Sequence, residues 1–192
     1  IKHAENKGLN VKAIIPVDLF GLPSRYRIIS ELAHKHNLFI LEDAAQGFGG
    51  TIRGEKACSF GHVASTSFFP AKPLGCYGDG GAIFTDDEEL ANKMRSIRIH
   101  GSGSDKYENI RLGINGRLDT IQAAILLEKL SIFDNELKLR NEVADYYSNN
   151  ISSGFIKPFT PKDYFSSWAQ YSLLTKSKYE RSKIMSILSN AN

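Results

Sequence analysis

A strand–helix–strand pattern near the start of the chain limits its fold more than any other feature. Residues 11–17 form a short apolar run with β-branched side chains, and residues 38–41 form a second one. Each run is typical of a buried parallel strand. Between them, Ser24 is a candidate N-cap for a helix that ends near His36, just before Asn37. Since strands joined through a helix pair in parallel with a right-handed crossover, the sequence predicts a layered α/β fold.

The rest of the chain continues this alternation and suggests two domains. Further strands are predicted over residues 63–69, 82–85 and 168–175, and further helices over 87–99, 118–147 and 179–188. The helix over 118–147 follows from apolar residues near helical spacing, at Leu118, Ile121, Ile125, Leu130, Phe133 and Leu137. We therefore predict a large domain over residues 1–150, which includes this long linking helix, and the start of a small domain over 151–192.

The composition argues against several classes of protein. The net charge of +3 is spread along the chain without a long basic block, and no apolar run approaches the ~20 residues that span a bilayer. We therefore expect neither a nucleic-acid partner nor a membrane partner. The two cysteines and five histidines show no metal-ligand spacing, so no metal site is predicted. Two cysteines are too few for a disulfide scaffold, which favours a reducing, cytoplasmic location.

Both ends of the sequence look internal. The chain begins with Ile1 rather than Met, and it ends at Asn192, directly after a predicted helix where a further strand would be expected. We therefore expect it to be a piece of a longer protein.

Two residues whose side chains can take part in catalysis lie at the ends of predicted strands. Asp43 lies at the carboxyl end of the apolar run over residues 38–41, after Glu42, and Lys72 follows the strand over 63–69. Ligands of open α/β sheets bind at the carboxyl ends of the strands. A lysine amine can form a Schiff base with a carbonyl, and a carboxylate against a pyridine nitrogen keeps that ring protonated. Those are the two groups that pyridoxal 5'-phosphate (PLP) requires from a protein.

Each of these residues also has an ordinary structural interpretation. A lysine near prolines, as Lys72 is, usually lies in a solvated loop. An aspartate after an apolar strand, as Asp43 is, often forms a turn or a helix cap. Only the combination of the two residues makes the cofactor hypothesis specific.

Five motifs in order add to that specificity. They are Glu-Asp-Ala-Ala-Gln at 42–46, Ser-Phe-Phe-Pro-Ala-Lys at 67–72, Gly-Asp-Gly-Gly-Ala at 78–82, Arg-x-His-Gly at 98–101 and Gly-x-Asn-x-Arg-Leu at 113–118. With them the chain resembles the sugar-nucleotide aminotransferases, the DegT/StrS-type PLP enzymes, over about residues 9–190. The resemblance implies the fold of type I PLP-dependent aminotransferases. That means a partial large domain with a mostly parallel sheet, and the start of a small C-terminal α+β domain.

The same resemblance assigns roles to five residues. Lys72 would be the catalytic Schiff-base lysine, and Asp43 would face the pyridine nitrogen. Gln46 matches a glutamine near the ring's 3-hydroxyl, and Ser67 matches a hydroxyl that contacts the cofactor phosphate. Asn115 matches an asparagine that reaches the phosphate of the neighbouring subunit, which implies a homodimer with a shared active site. Without the resemblance, Ser67 could simply end a strand and Asn115 could cap the long helix.

The implied activity is PLP-dependent transamination of a nucleotide-linked keto-sugar to an amino-sugar. L-Glutamate is the implied amino donor, and the product would enter surface polysaccharide, lipopolysaccharide or glycan synthesis. The motifs look most like members that act on UDP-linked N-acetylated 3-keto sugars. Lys72 itself favours transamination, because family members with histidine at this position act as dehydrases.

Three alternatives stay open at this stage. They are another PLP chemistry on an amino acid, a PLP-binding regulatory protein without turnover, and an α/β scaffold without activity. The sequence also leaves open the sugar, the carbon that is aminated and the identity of the amino donor.

Overall fold

The structure is a computed structural model and describes residues 1–105 and 107–191. Its strands are β1 (Ala13–Ile14), β2 (Phe39–Asp43), β3 (Thr51–Ile52), β4 (Glu55–Lys56), β5 (Val63–Ser67), β6 (Gly81–Phe84) and β7 (Tyr164–Phe165). Its helices are α1 (Lys2–Glu5), α2 (Tyr26–His36), α3 (Glu88–Arg98), α4 (Thr120–Asn150) and α5 (Lys178–Asn190), with a 3-10 turn at Leu19–Gly21.

The central sheet has the strand order β1-β2-β5-β6. β2 pairs in parallel with β1 on one side and with β5 on the other. β6 pairs antiparallel with β5. The α2 crossover therefore joins parallel neighbours, and the predicted α/β fold with a mostly parallel sheet is confirmed.

β1 is shorter than the predicted strand over residues 11–17. Pro16 has no N–H to donate to a ladder, which interrupts regular pairing. Its carbonyl instead accepts the N–H of Asp43 at 2.9 Å, and Asp18 donates its own N–H to the Asp43 carbonyl at 3.0 Å. Val17 forms an isolated parallel bridge with Asp43. The chain after β1 thus stays attached to the end of β2.

The start of α2 differs from the predicted one. Its N-cap is Arg25 rather than Ser24. The Ser24 hydroxyl donates to the Val17 carbonyl at 2.8 Å, while the Ser24 N–H donates to Asp18 Oδ1 at 2.9 Å. Ser24 is thus held by the preceding loop, and no side chain caps the start of α2 within the described residues. The helix ends as predicted, at Asn37, whose positive φ of 49° is one that asparagine adopts readily.

The long helix α4 runs for 31 residues and carries one side of the main core. Its Leu126, Phe133 and Leu137 are buried against Phe68, Leu74 and Cys76 from the segment after β5. The predicted helix is confirmed, but its predicted apolar face is only partly right. Ile121 and Leu130 are 74% and 50% exposed, so Leu126 lies on the buried face instead.

The chain after α4 returns to the first half of the molecule. β7 pairs antiparallel with β3, in a small sheet of order β4-β3-β7. The predicted strand over residues 168–175 is wrong: Trp168 has a left-handed φ of 47°, and Leu174 forms only an isolated bridge with Ile156. The predicted helix over 179–188 is confirmed by α5. The division into domains at residue 150 stays a prediction.

Within the described residues, no helix combines the length and the apolar character that a membrane crossing requires.

We expect Phe133→Ala to lower the free energy of unfolding by about 3–5 kcal/mol, because it leaves a cavity between α4 and the segment after β5. The matched control is Ile132→Ala on the same helix, whose side chain is 52% exposed and whose loss should cost about 0.5 kcal/mol or less. Urea-induced unfolding followed by circular dichroism measures both. Equal losses in the two variants would contradict this assignment of the core.

Candidate functional site

Two predicted site residues lie at the carboxyl ends of adjacent parallel strands. Asp43 is the last residue of β2, and Ser67 is the last residue of β5. Asp43 pairs in register with Ser65. Because side chains alternate along a strand, Ser67, two residues on, is directed to the same face of the sheet as Asp43. Neighbouring strands lie about 4.8 Å apart, so the carboxylate and the hydroxyl start from nearby positions at one edge.

Hydrogen bonds beyond the ladder hold these two strand ends together. The Ala44 N–H donates to the Ser65 carbonyl at 2.9 Å, and Thr66 Oγ1 donates to the Ala44 carbonyl at 2.9 Å. Asp43 Oδ1 accepts the N–H of Ala45 at 3.1 Å, which orients the carboxylate. Ser67 Oγ accepts the Phe69 N–H at 3.2 Å, so the serine O–H can donate to another group.

Lys72 lies on the segment after β5, which folds back over the strand end. The Lys72 N–H donates to the Phe69 carbonyl at 2.9 Å, and the Cys76 N–H donates to the Phe68 carbonyl at 2.8 Å. A Cβ on Gly75 would lie 2.6 Å from the carbonyl oxygen of Pro70, so a larger residue would force this turn open.

The Lys72 side chain is half-buried. Within residues 1–105 and 107–191, no hydrogen bond or ion pair engages its amine. This amine can therefore bind a ligand without breaking an existing pair.

Gln46 lies on the loop that follows Asp43 and bonds this loop to the 3-10 turn at Leu19–Gly21. Its Oε1 accepts the N–H of Phe20 at 2.6 Å, and its main-chain carbonyl accepts the hydroxyl of Ser167 at 2.8 Å. The carbonyl oxygen of the side chain is thus engaged, and its NH₂ group is the part that can serve a ligand.

Asn115 is not brought into this group. It is exposed on the segment between α3 and α4, where its Oδ1 accepts from Arg117 Nε at 3.1 Å. Its backbone bridges to Ile99. Among the described residues, no hydrogen bond connects Asn115 to the other four candidates.

Two buried carboxylates flank the site, and sequence reasoning missed both. Glu42, next to Asp43, is fully buried and accepts three backbone N–H groups, from Cys58 at 2.5 Å, Phe60 at 2.9 Å and Gly61 at 3.2 Å. Burial raises the pKa of Glu42, while these three donors act in the opposite direction. Glu42 thus fastens the loop before β5 to the end of β2.

Asp18 is the second buried carboxylate. Its Oδ1 accepts from the Tyr26 hydroxyl at 2.8 Å and from the Ser24 N–H, while its Oδ2 has no hydrogen-bond partner in the described part of the chain. Burial raises the pKa of Asp18 to about 7. A Cβ on Gly47 would lie 2.5 Å from Oδ2, so the carboxyl packs directly under the loop that carries Gln46. The one sequence signal was that Asp18 and Glu42 are each an acidic residue directly after an apolar run.

The groups at this edge suit PLP. Lys72 offers an amine that pairs with none of the described residues, Asp43 offers a carboxylate and Ser67 offers a hydroxyl. These match a carbonyl, a pyridine nitrogen and a phosphate, respectively. No cluster of three or more His, Cys, Asp or Glu side chains that could hold a metal occurs among the residues described.

Comparison with known proteins identifies the family. Residues 4–192 match the DegT/DnrJ/EryC1/StrS aminotransferase family. The chain belongs to this family. This confirms the resemblance drawn from the five motifs.

The relatives of this family member include a UDP-2-acetamido-2-deoxy-3-oxo-D-glucuronate aminotransferase of Pseudomonas aeruginosa. It is 50% identical over 163 residues, which are 84% of this chain and 45% of the relative. A solved DegT/DnrJ/EryC1/StrS aminotransferase from Brucella abortus has a TM-score of 0.90 at 50% identity, over 94% of this chain and 48% of that one. DesV of S. venezuelae, solved in complex with a ketimine intermediate, has a TM-score of 0.84 at 38% identity, over 91% of this chain and 48% of that one. These likenesses confirm the predicted fold. The chain spans about half the length of the proteins it matches.

We expect the stability contributed by Asp18 to depend on pH. Because its folded pKa of about 7 lies above the ordinary value of 3.8, the folded state binds the proton more tightly. The contribution is therefore present in full below pH ~4 and is lost as the pH rises through ~7, with a change of up to about 4 kcal/mol. Asp18→Asn should remove this loss, so that the variant gains stability relative to wild type between pH 5 and pH 8.

Urea-induced unfolding at the two pH values measures that difference. Asp86→Asn, the same change at an exposed aspartate, is the matched control. A difference between Asp18→Asn and wild type that stays constant with pH would rule out Asp18 as the titrating group.

Proposed function

We propose that the protein that carries this chain is a PLP-dependent aminotransferase acting on a nucleotide-linked keto-sugar. The observation that carries this proposal is the half-buried Lys72 amine, which has no counter-ion among the described residues. It lies on the segment directly after β5, and β5 pairs with the strand that ends in Asp43. Membership of the DegT/DnrJ/EryC1/StrS family supports it.

PLP, when bound, serves as the electron sink that stabilises a carbanion next to the amine nitrogen. Lys72 would hold it through its amine, and the same amine would carry the proton to and from the reacting carbon. Asp43 would hold the pyridine nitrogen and favour positive charge there. Ser67 would hold the phosphate through its O–H, and Gln46 would hold the ring's 3-oxygen through its NH₂.

The named relative suggests the substrate. Because the Pseudomonas aeruginosa protein is a UDP-2-acetamido-2-deoxy-3-oxo-D-glucuronate aminotransferase, we propose a UDP-linked N-acetylated 3-keto sugar. L-Glutamate is the proposed amino donor, and the amino-sugar serves polysaccharide, lipopolysaccharide or glycan synthesis. A cytoplasmic location agrees with the free thiols of Cys58 and Cys76.

The test is the visible absorbance of the full-length protein with PLP, before and after L-glutamate. Wild type should show a Schiff-base band that converts to the pyridoxamine form, and Lys72→Ala should lack the band. Asp43→Asn should slow the conversion about a hundredfold or more, because it removes charge stabilisation at the ring. Lys93→Ala, which replaces an exposed lysine on α3, is the matched control and should behave as wild type.

The other outcomes separate the alternatives. A band that glutamate leaves unchanged would contradict glutamate transamination and favour another PLP chemistry or a regulatory role. The absence of a Schiff-base band in wild type would rule out a PLP-dependent enzyme.

We further propose a homodimer in which Asn115 of one subunit reaches the cofactor phosphate bound by the other. The exposed position of Asn115, apart from the other candidates, supports this arrangement. A hybrid dimer of one Lys72→Ala subunit and one Asn115→Ala subunit then contains one intact site of two. With a different affinity tag on each subunit, the purified hybrid should show about half of the wild-type rate at limiting PLP.

Both parent homodimers are the controls, and neither should reach that rate. If Asn115 acts within its own subunit, both sites of the hybrid are damaged. A hybrid no more active than its parents would therefore contradict the shared site.

A further inference from the structure

The segment that carries Lys72, residues 68–80 between β5 and β6, is held by two polar side chains of α4. Lys129 Nζ donates to the Gly75 carbonyl at 2.6 Å. Gln122 Oε1 accepts the Tyr77 N–H at 2.8 Å. These contacts join residues 54 and 45 positions apart in the sequence, and both meet the segment just after Lys72.

Both side chains lie on the face of α4 that faces the core. Gln122, Leu126, Lys129, Phe133 and Leu137 follow one another at intervals of four, three, four and four residues. Such spacing places side chains in one row along a helix. The apolar members of the row pack on Leu74 and Cys76. The polar members therefore act on the same segment that the apolar members bury.

Each polar contact satisfies a backbone group of that segment. Gly75 is buried, so its carbonyl needs a donor from the protein, and Lys129 supplies a charged one. The Lys129 ammonium also lies 5.5 Å from the centroid of the Tyr77 ring, within the range of a cation–π contact. Gln122 and Lys129 are themselves half-buried, so water competes only in part for these bonds.

The segment also has bonds of its own. Its first limb, residues 68–72, closes through the bond from the Lys72 N–H to the Phe69 carbonyl. In its second limb, residues 73–80, the backbone N–H and the Sγ of Cys76 both donate to the Phe68 carbonyl. Gly75 and Tyr77, on either side of Cys76, are the residues that α4 engages in addition. The two limbs are packed together, because a Cβ on Gly75 would lie 2.6 Å from the Pro70 carbonyl oxygen.

We propose that Gln122 and Lys129 are positioning residues for Lys72. They hold the second limb against α4 and so keep the amine at one place relative to the carboxyl ends of β2 and β5. The inference rests on the proposed function of Lys72 as the Schiff-base lysine. Neither residue is assigned a contact with substrate or cofactor.

The test uses pairs of variants of the full-length holoenzyme. Gln122→Met removes the acceptor for the Tyr77 N–H at similar size, whereas Gln122→Glu keeps it. Lys129→Met removes the donor to Gly75. Lys138→Met makes the same change at an exposed position of α4 and is the matched control.

We expect Gln122→Met and Lys129→Met to lower the single-turnover rate constant with L-glutamate about tenfold to a hundredfold, because a small misplacement of a reacting group has effects of this size. The glutamate dissociation constant should stay within about threefold of wild type. Gln122→Glu should recover the rate to within about threefold, and Lys138→Met should match wild type.

A rate in Gln122→Met equal to that of wild type would overturn the proposal. An equal loss in Gln122→Met and Gln122→Glu would overturn it as well, since the acceptor would then be irrelevant. The Gln122 pair keeps the test decisive if Lys129→Met fails to fold.

A second measurement separates this inference from the proposed function. If wild type forms no Schiff base, the proposed function has failed, and amide hydrogen exchange of the protein without PLP then decides on the restraint. Faster exchange over residues 73–78 in Gln122→Met, but not in Gln122→Glu or Lys138→Met, supports the restraint of this limb by α4. Unchanged exchange in all three overturns it.

Discussion

The parallel pairing of β2 with both of its neighbours is the constraint on which the rest of the site depends. At its carboxyl end, Asp43 bonds through its backbone to Pro16 and Asp18 on one side, and the next residue, Ala44, bonds to Ser65 on the other. These bonds bring the ends of three chain segments to one edge of the sheet. Side chains that leave the chain at this edge converge because the strands do, which is the general reason that open α/β sheets bind ligands there.

The same edge carries a concentration of acidic groups that is costly to bury. Asp18 and Glu42 are fully buried, and burial raises the pKa of each. Glu42 is compensated by three backbone donors, whereas one oxygen of Asp18 has no partner within the described residues. Asp18 lies in the loop after β1, and its carboxyl nevertheless contacts both Tyr26 of α2 and the loop with Gln46. The burial of Asp18 thus lowers the stability of the fold but fixes the position of the segment after Asp43.

The position of Lys72 has a different origin from that of Asp43. Asp43 is placed by the ladder of a central sheet, while Lys72 is placed by a turn that α4 supports from the other side. The apolar face of α4 packs on Leu74 and Cys76, and its polar contacts engage Gly75 and Tyr77. The two groups proposed to act on one cofactor are therefore held by different parts of the fold, the sheet for Asp43 and the turn against α4 for Lys72.

Local patterns in the sequence determined much of this. An apolar run predicted β2 and a helical period predicted α4, because burial on one face leaves a repeat in the sequence. The chemistry of Lys72 and Asp43 was visible because each follows such a run. The motif order predicted the family, which the comparison confirmed.

Only the tertiary structure decided the remaining features. Nothing near Asp18 indicates that its carboxylate accepts the Ser24 N–H, and nothing near Trp168 shows that Tyr164–Phe165 pairs with Thr51–Ile52. Gln122 and Lys129 follow no motif that points to Lys72, since they meet its segment 45 and 54 residues away in sequence. Such contacts arise when separate elements pack together, and a pattern of neighbouring residues records the face that an element buries but not the partner that covers it.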